Sequence, residues 1–189
     1  MLARISAHPR FLPVTGAVLL SSGLIAASFV GGGKATASTT PRAVAAERAG
    51  DDSVPAVIQV PPGNRLVADL DAQGVQVYTC TAGTWAFLEP VAQLHDQSQA
   101  VIHFRGPSWE STNDGSLVEA ETVASSPVVG AIPQLLLRGT LTRGSGIFGN
   151  VTYVQRLDTV GGVKPSTTCM NGQTQGVPYT AKYRFFARG

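Results

Sequence analysis

The chain is short of the residues that most often carry chemistry. Its 189 residues include two cysteines, two methionines and three histidines, and only 14% are charged. Two cysteines without CxxC spacing supply too few ligands for a zinc site and exclude a framework of several disulfides. Lysine is nearly missing: Lys34, Lys164 and Lys182 are the whole set among 14 basic residues. The pI of about 8.7 belongs to the full chain. Without Arg4, Arg10 and Lys34, which lie in the N-terminal segment discussed next, the remainder is close to neutral, so charge gives no argument for a nucleic-acid partner. No GxSxG, HExxH or P-loop string occurs, so no motif points to an esterase, a metalloprotease or a nucleotide-binding enzyme. No amphipathic run reaches helical length, which argues against helical and α/β architectures.

What is there begins with an export signal. Arg4, His8 and Arg10 form a basic start, residues 11–30 are apolar and uncharged, and Ala35-Thr36-Ala37 is a small-x-small pattern before Ser38. This is the layout of a secretory signal peptide over residues 1–37, cleaved after Ala37. A retained membrane anchor is the alternative, since the apolar run approaches the length of a short membrane-spanning helix. Pro13, Gly16, Ser21, Ser22 and Gly23 dilute that run. Cleavage leaves a secreted chain with no membrane attachment. Residues 38–53 lack apolar periodicity and read as a disordered leader, followed by one domain over residues 54–189, long enough to bury a core. In an oxidising compartment Cys80 and Cys169 are expected to pair in one disulfide, with two free buried thiols as the alternative.

The domain has a β pattern. Short apolar segments at 57–60, 65–70, 84–88 and 100–104 end at Pro- and Gly-rich breaks, and Asp71-Ala72-Gln73-Gly74 reads as a turn that makes 65–80 a hairpin. Gln76, Tyr78 and Cys80 alternate with Val75, Val77 and Thr79. Asn113-Asp114-Gly115 is a strong hairpin turn before the strand at 117–122. Residues 132–141 fit a strand better than a helical turn, and 151–160 are rich in β-branched residues. At the C-terminus Val177, Tyr179, Ala181, Tyr183 and Phe185 face one way while Thr180, Lys182 and Arg184 face the other. About nine short strands with turn chemistry between them predict an all-β, single-domain β-sandwich or β-barrel.

Candidate chemistry is sparse. Gly144-Ser145-Gly146-Ile147-Phe148-Gly149 matches GxGxxG, but a strand rather than a helix follows it, so a glycine-rich turn is expected there and no nucleotide cofactor is implied. Residues 94–116 hold His95, Asp96, His103, Trp109, Glu110, Asp114 and Ser116. His103 in an apolar strand is a candidate general base, with Asp114 or Asp96 to orient it; a hydrogen-bonded strand histidine beside turn-forming acids is the plainer alternative. Glu119 and Glu121 have a spacing compatible with paired glycosidase carboxylates or with a solvated strand face. Arg156 and Asp158 read as an ion pair on one strand face. Trp85, Trp109 and Tyr78, with Arg156, are the candidates for contacting a carbohydrate or a small apolar ligand. No metal and no cofactor is expected.

The chain resembles a family of secreted bacterial and fungal proteins, domain-of-unknown-function family 3455. The likeness runs through Gly74-Val75-Gln76-Val77-Tyr78-Thr79-Cys80 with Trp85, and His103-x-x-Gly106-Pro107-x-Trp109 with Asp114-Gly115-Ser116. It continues through Ile132-Pro133 with Leu135-Leu136-Leu137, and Gln155-Arg156 with Thr159-x-Gly161-Gly162 and Cys169. It ends with Val177-Pro178-Tyr179-Thr180-Ala181, Tyr183 and Phe185. Gln134 stands where the family pattern has Trp, which would alter binding if that Trp lined a ligand groove. The resemblance implies an exported single domain with paired cysteines and implies no activity. The leading expectation is therefore a secreted, non-catalytic binding or surface-associated domain. A hydrolase built on His103 and a structural envelope component are the rivals.

Overall fold

The computed structural model describes residues 53–189; the expected export signal over 1–37 and nearly all of the expected leader over 38–53 lie outside them. Eight strands follow one another: β1 (Asn64–Thr81), β2 (Thr84–His95), β3 (Ala100–Phe104), β4 (Ser108–Ser111), β5 (Leu117–Val128), β6 (Ala131–Arg143), β7 (Val151–Gly161) and β8 (Thr174–Arg188). Each pairs antiparallel with the next, and β8 returns to pair with β1, so the sheet closes into an up-and-down barrel. The two expected architectures thus resolve to the barrel. The strands number eight: the expected hairpin at 65–80 is one continuous strand, 57–60 is not a strand, and the short β4 is added.

The correction at β1 has a local cause. A Cβ on Gly74 would lie 2.2 Å from the Val91 carbonyl oxygen and 2.5 Å from Ala92. Glycine is therefore there for close approach of β2, not for a turn. Asp71 stays in register opposite Lys182 and accepts a hydrogen bond from its Nζ at 2.8 Å. Pro90 does not end β2 either. Residues 84–91 of β2 pair only with β1, because β3 joins β2 from Ala92 onward, and a proline is tolerated where one side of a strand has no partner. Residues 57–60, expected as a strand, begin in a 3-10 turn over Ala56–Ile58.

Period-two alternation decides what fills the barrel. Leu70 and Ala72 from β1, Leu94 from β2, Val118 from β5, and Tyr183 and Phe185 from β8 point inward and are buried. Outside, Val54 and Ile58 of the N-terminal segment cover Leu136 and Leu157, and the Gln155 side chain donates to the Ile58 carbonyl at 2.7 Å.

The two ends of the barrel differ. At one end the β6–β7 loop folds over the opening and buries Phe148 completely; its ring lies 4.6 Å from that of Phe185. The GxGxxG string is this loop, a turn as expected. Gly146 has no Cβ because the Asp114 carboxylate occupies that space, 2.2–2.3 Å from where one would be. At the other end Cys80 and Cys169 form the expected disulfide, joining the β1–β2 hairpin to the long β7–β8 loop. Hydrogen bonds from the Cys80 amide to Gln173 and from the Gly172 amide to Cys80 reinforce the join.

Candidate functional site

The β3–β4 hairpin is much shorter than its neighbours. β4 pairs with β5 only from Ser108↔Glu119 to Glu110↔Leu117. Beyond these pairs, residues 84–91 of β2 and 120–128 of β5 have no strand between them, and the barrel wall carries a notch at the disulfide end. Behind it lies a cavity of about 480 Å³. Phe87, Leu88 and Pro90 form one edge, Thr122 and the Arg105-Gly106-Pro107 turn the other, and Leu135 and Leu137 the apolar wall. Its polar lining consists of Gln76, Tyr78, His103, Trp109, Arg156 and Tyr183, with Glu89 and Arg105 at the rim.

Four residues singled out in the sequence therefore meet in one place: Tyr78, His103, Trp109 and Arg156. Strand parity brings them there. Tyr78 is on the inward face of β1, and His103 and Trp109 are directly opposite each other on β3 and β4. Arg156 lies across from Tyr183 on β7 and β8. The His103 and Trp109 rings stack at 4.4 Å with 2° between their planes, and Tyr183 meets both edge-on, at 5.3 and 5.6 Å.

The remaining candidates lie elsewhere. Asp96 and Asp114 sit in the β2–β3 and β4–β5 turns, at the opposite end of the barrel. Asp96 accepts from the amides of Ser98 and Gln99 at 2.6 and 2.7 Å, which lowers its pKa. Asp114 accepts from the amides of Ser116 and Ile147 at 2.8 and 3.0 Å. The Ser116 hydroxyl together with these amides holds its pKa down to about 2. Trp85 is buried in a separate cluster around the disulfide, with Nε1 donating to the Thr167 carbonyl at 3.1 Å. Glu121 pairs with Arg138 on the outside. Gln134 is not part of the cavity lining; its Oε1 accepts the Asp158 amide at 3.3 Å.

His103 has neither the partner nor the proton affinity of a general base. It is 3% exposed, and Nδ1 lies 2.8 Å from the Ser108 carbonyl. A carbonyl only accepts, so Nδ1 carries the proton and the neutral ring is fixed in that tautomer. Burial drives its pKa down to about 3, partly opposed by this hydrogen bond and aided by the Arg156 charge. A base of that strength is far from the value suited to proton transfer near neutrality. Burial likewise raises the pKa values of Tyr78, Tyr179 and Tyr183.

Neither tryptophan presents a face for stacking a sugar. Trp109 is fully buried, with His103 on one face and Tyr183 and Phe185 at its edges. Trp85 is 4% exposed. The candidate aromatic residues Tyr78, Trp85 and Trp109 thus belong to the inner lining and the disulfide cluster, not to an exposed patch.

The expected Arg156–Asp158 pair does not form. Asp158 has a φ of +50° in a bulge of β7, which breaks the alternation that would have put the two side chains together. Arg156 turns inward instead, and its Nε and Nη2 donate to the Pro133 carbonyl at 3.1 and 2.9 Å. Two site residues escaped the sequence reading, Gln76 and Tyr183. Gln76 carried a usable signal: it is a polar side chain in phase with Tyr78 and Cys80, on what proves to be the buried face of β1. Among the described residues no group of acidic, histidine or cysteine side chains is arranged to hold a metal ion, and no helix is long and apolar enough to cross a membrane.

No curated protein and no solved structure matches the chain. Residues 97–187, from the β2–β3 turn to the end of β8, match the model of a family described as "Protein of unknown function (DUF3455)". The match, over the stretch that carries His103, Trp109, Arg156 and Tyr183, supports membership of the family DUF3455.

Proposed function

We propose that this protein is an exported, non-catalytic binder of a small apolar molecule, which it takes into the cavity behind the notch. The observation that carries the reading is the cavity itself. Eight-stranded barrels are wide enough to hold one small ligand, and about 480 Å³ falls within the roughly 300–1,000 Å³ typical of small-molecule sites. Its walls are mostly apolar, with a few convergent polar groups, which is the usual make-up of such a site. The disulfide accords with an oxidising compartment, as does the signal read at residues 1–37. The weakness of His103 as a base and the engagement of Asp96 and Asp114 with backbone amides favour binding over hydrolysis.

The test is a titration with the uncharged fluorescent dye Nile red. Saturable binding of one dye per chain is expected, and Thr122→Trp, a substitution at an exposed position on the notch edge, is expected to abolish it. Wild-type protein that leaves the dye dark would contradict the proposal, as would a Thr122→Trp variant that binds it unchanged.

A further inference from the structure

We infer that the molecule held in this cavity carries a carboxylate on its apolar body, and that Arg156 receives it. The inference rests on the small-molecule role proposed above and adds the chemical class of the ligand.

The first observation is a missing counter-charge. Arg105, Arg138, Arg143, Lys182 and Arg184 each face a carboxylate, while Arg65, Lys164 and Arg188 are exposed to solvent. Arg156 alone among the described cations is half-buried, turned into the barrel and without an acidic partner. The one carboxylate lining the cavity, Glu89, is taken by Arg105 at 3.1 Å. A guanidinium in apolar surroundings is costly unless a charge or acceptors compensate it.

Its geometry is already fixed for that purpose. The Pro133 carbonyl takes two of the five N–H groups and holds the plane of the guanidinium. The Tyr183 hydroxyl is a further acceptor beside the guanidinium; the N–H groups beyond these are left for a ligand, and a planar fork of N–H groups matches a carboxylate. The charge acts within the cavity: it favours the ionised forms of Tyr78 and Tyr183 and disfavours protonation of His103.

The second observation is independent of the first. Two residues of the cavity lining, Gln76 and Trp109, each hold a buried donor without an acceptor, Nε2 and Nε1. Gln76 is 3% exposed and Trp109 fully buried. Gln76 lies near the Tyr179 hydroxyl without reaching hydrogen-bond geometry. Buried donors are paired in the great majority of cases, so two orphans beside one unpaired cation describe a site with too many donors and too little negative charge. The complement is an anionic, acceptor-only group. A neutral apolar ligand would leave the cation uncompensated, and a cationic one would be repelled.

The experiment compares aryl-alkanoates of one to four methylenes with their primary amides, which have nearly the same shape and no charge, by isothermal titration at low salt. In wild-type protein the best carboxylate is expected to bind at least tenfold more tightly than its amide. Arg156→Gln should erase that preference, bringing the carboxylate's affinity down to about that of its amide. Gln76→Leu and Trp109→Phe should each weaken the carboxylate several-fold. If Arg156→Gln fails to fold, Arg156→Lys keeps the charge, loses the fork and should show a reduced preference. Equal affinity for acid and amide in wild-type protein overturns the carboxylate assignment while Nile red binding keeps the cavity reading intact. Failure of the acids, the amides and the dye together overturns both.

Discussion

The Gln76 amide is on the inward face of β1, its NH2 group removed from water and bonded to nothing. Leaving a buried donor unsatisfied costs about 1–3 kcal/mol, so Gln76→Leu is expected to stabilise the ligand-free protein by about 1 kcal/mol in a urea melt. A loss of stability would mean that Gln76 has a structural partner. His103 offers a second test at this scale. Its pKa is near 6.5 unfolded and about 3 folded, so the unfolded chain binds the extra proton. Its contribution is fully present above about pH 6.5 and is lost as pH falls toward 3. The unfolding free energy should drop by roughly 1.4 kcal/mol per pH unit within that window. Asp114 adds a loss only below its unfolded value of 3.8, down to about 2. His103→Gln should flatten the slope between pH 6 and 4.5; an equally steep variant would assign the acid sensitivity to other groups.

Among the elements, the β6–β7 loop shows how far local sequence signals reach. Asn113-Asp114-Gly115 was legible as a hairpin turn, and GxGxxG as a turn rather than a nucleotide cradle. That the two turns dock on each other through Asp114 and Ser116, with the Phe148 amide donating to the Ser116 hydroxyl at 3.0 Å, depends on contacts 32 residues apart in sequence and has no local signature. Phe148→Ala is expected to cost about 3–5 kcal/mol, measured by denaturant unfolding. A cost below 1 kcal/mol would show that the plug collapses without it. The alternation of β8 announced its inward set correctly, since Tyr179, Ala181, Tyr183 and Phe185 are all buried. The strand β1 misled because Asp71 and Gly74 are turn formers by type, while their roles, an ion pair on the outer face and a close approach on the inner, are set by β8 and β2. The cavity was half legible. Its aromatic and histidine members stood out, but the inward turn of Arg156 follows from a bulge at Asp158 that no pattern announced.

For the molecule as a whole, closure joins β1 to β8 through pairs from Thr79↔Thr174 to Asn64↔Arg188, far apart in sequence, and the disulfide ties β1 to the β7–β8 loop across a sequence separation of 89. By loop-closure entropy such a bridge restricts the unfolded chain by about 4–5 kcal/mol, an upper figure. Replacing both Cys80 and Cys169 by Ala should lower the unfolding free energy by at least about 2 kcal/mol without changing the barrel's circular dichroism. A melting temperature indifferent to reductant would contradict this.

The short β3–β4 hairpin has a consequence for how such a protein diversifies. The notch is an omission in the wall, not a surface shaped by its own residues, so its width follows from how many residues one hairpin contains. Adding a residue pair to each arm would raise the sill and narrow the gate, while Arg156, Gln76 and Trp109 kept their places. Exchange rate and the largest admissible guest would then change in steps, separately from what the interior recognises. Relatives that share the interior and differ at residues 104–108 would be expected to sort their guests by size while keeping one taste in chemistry.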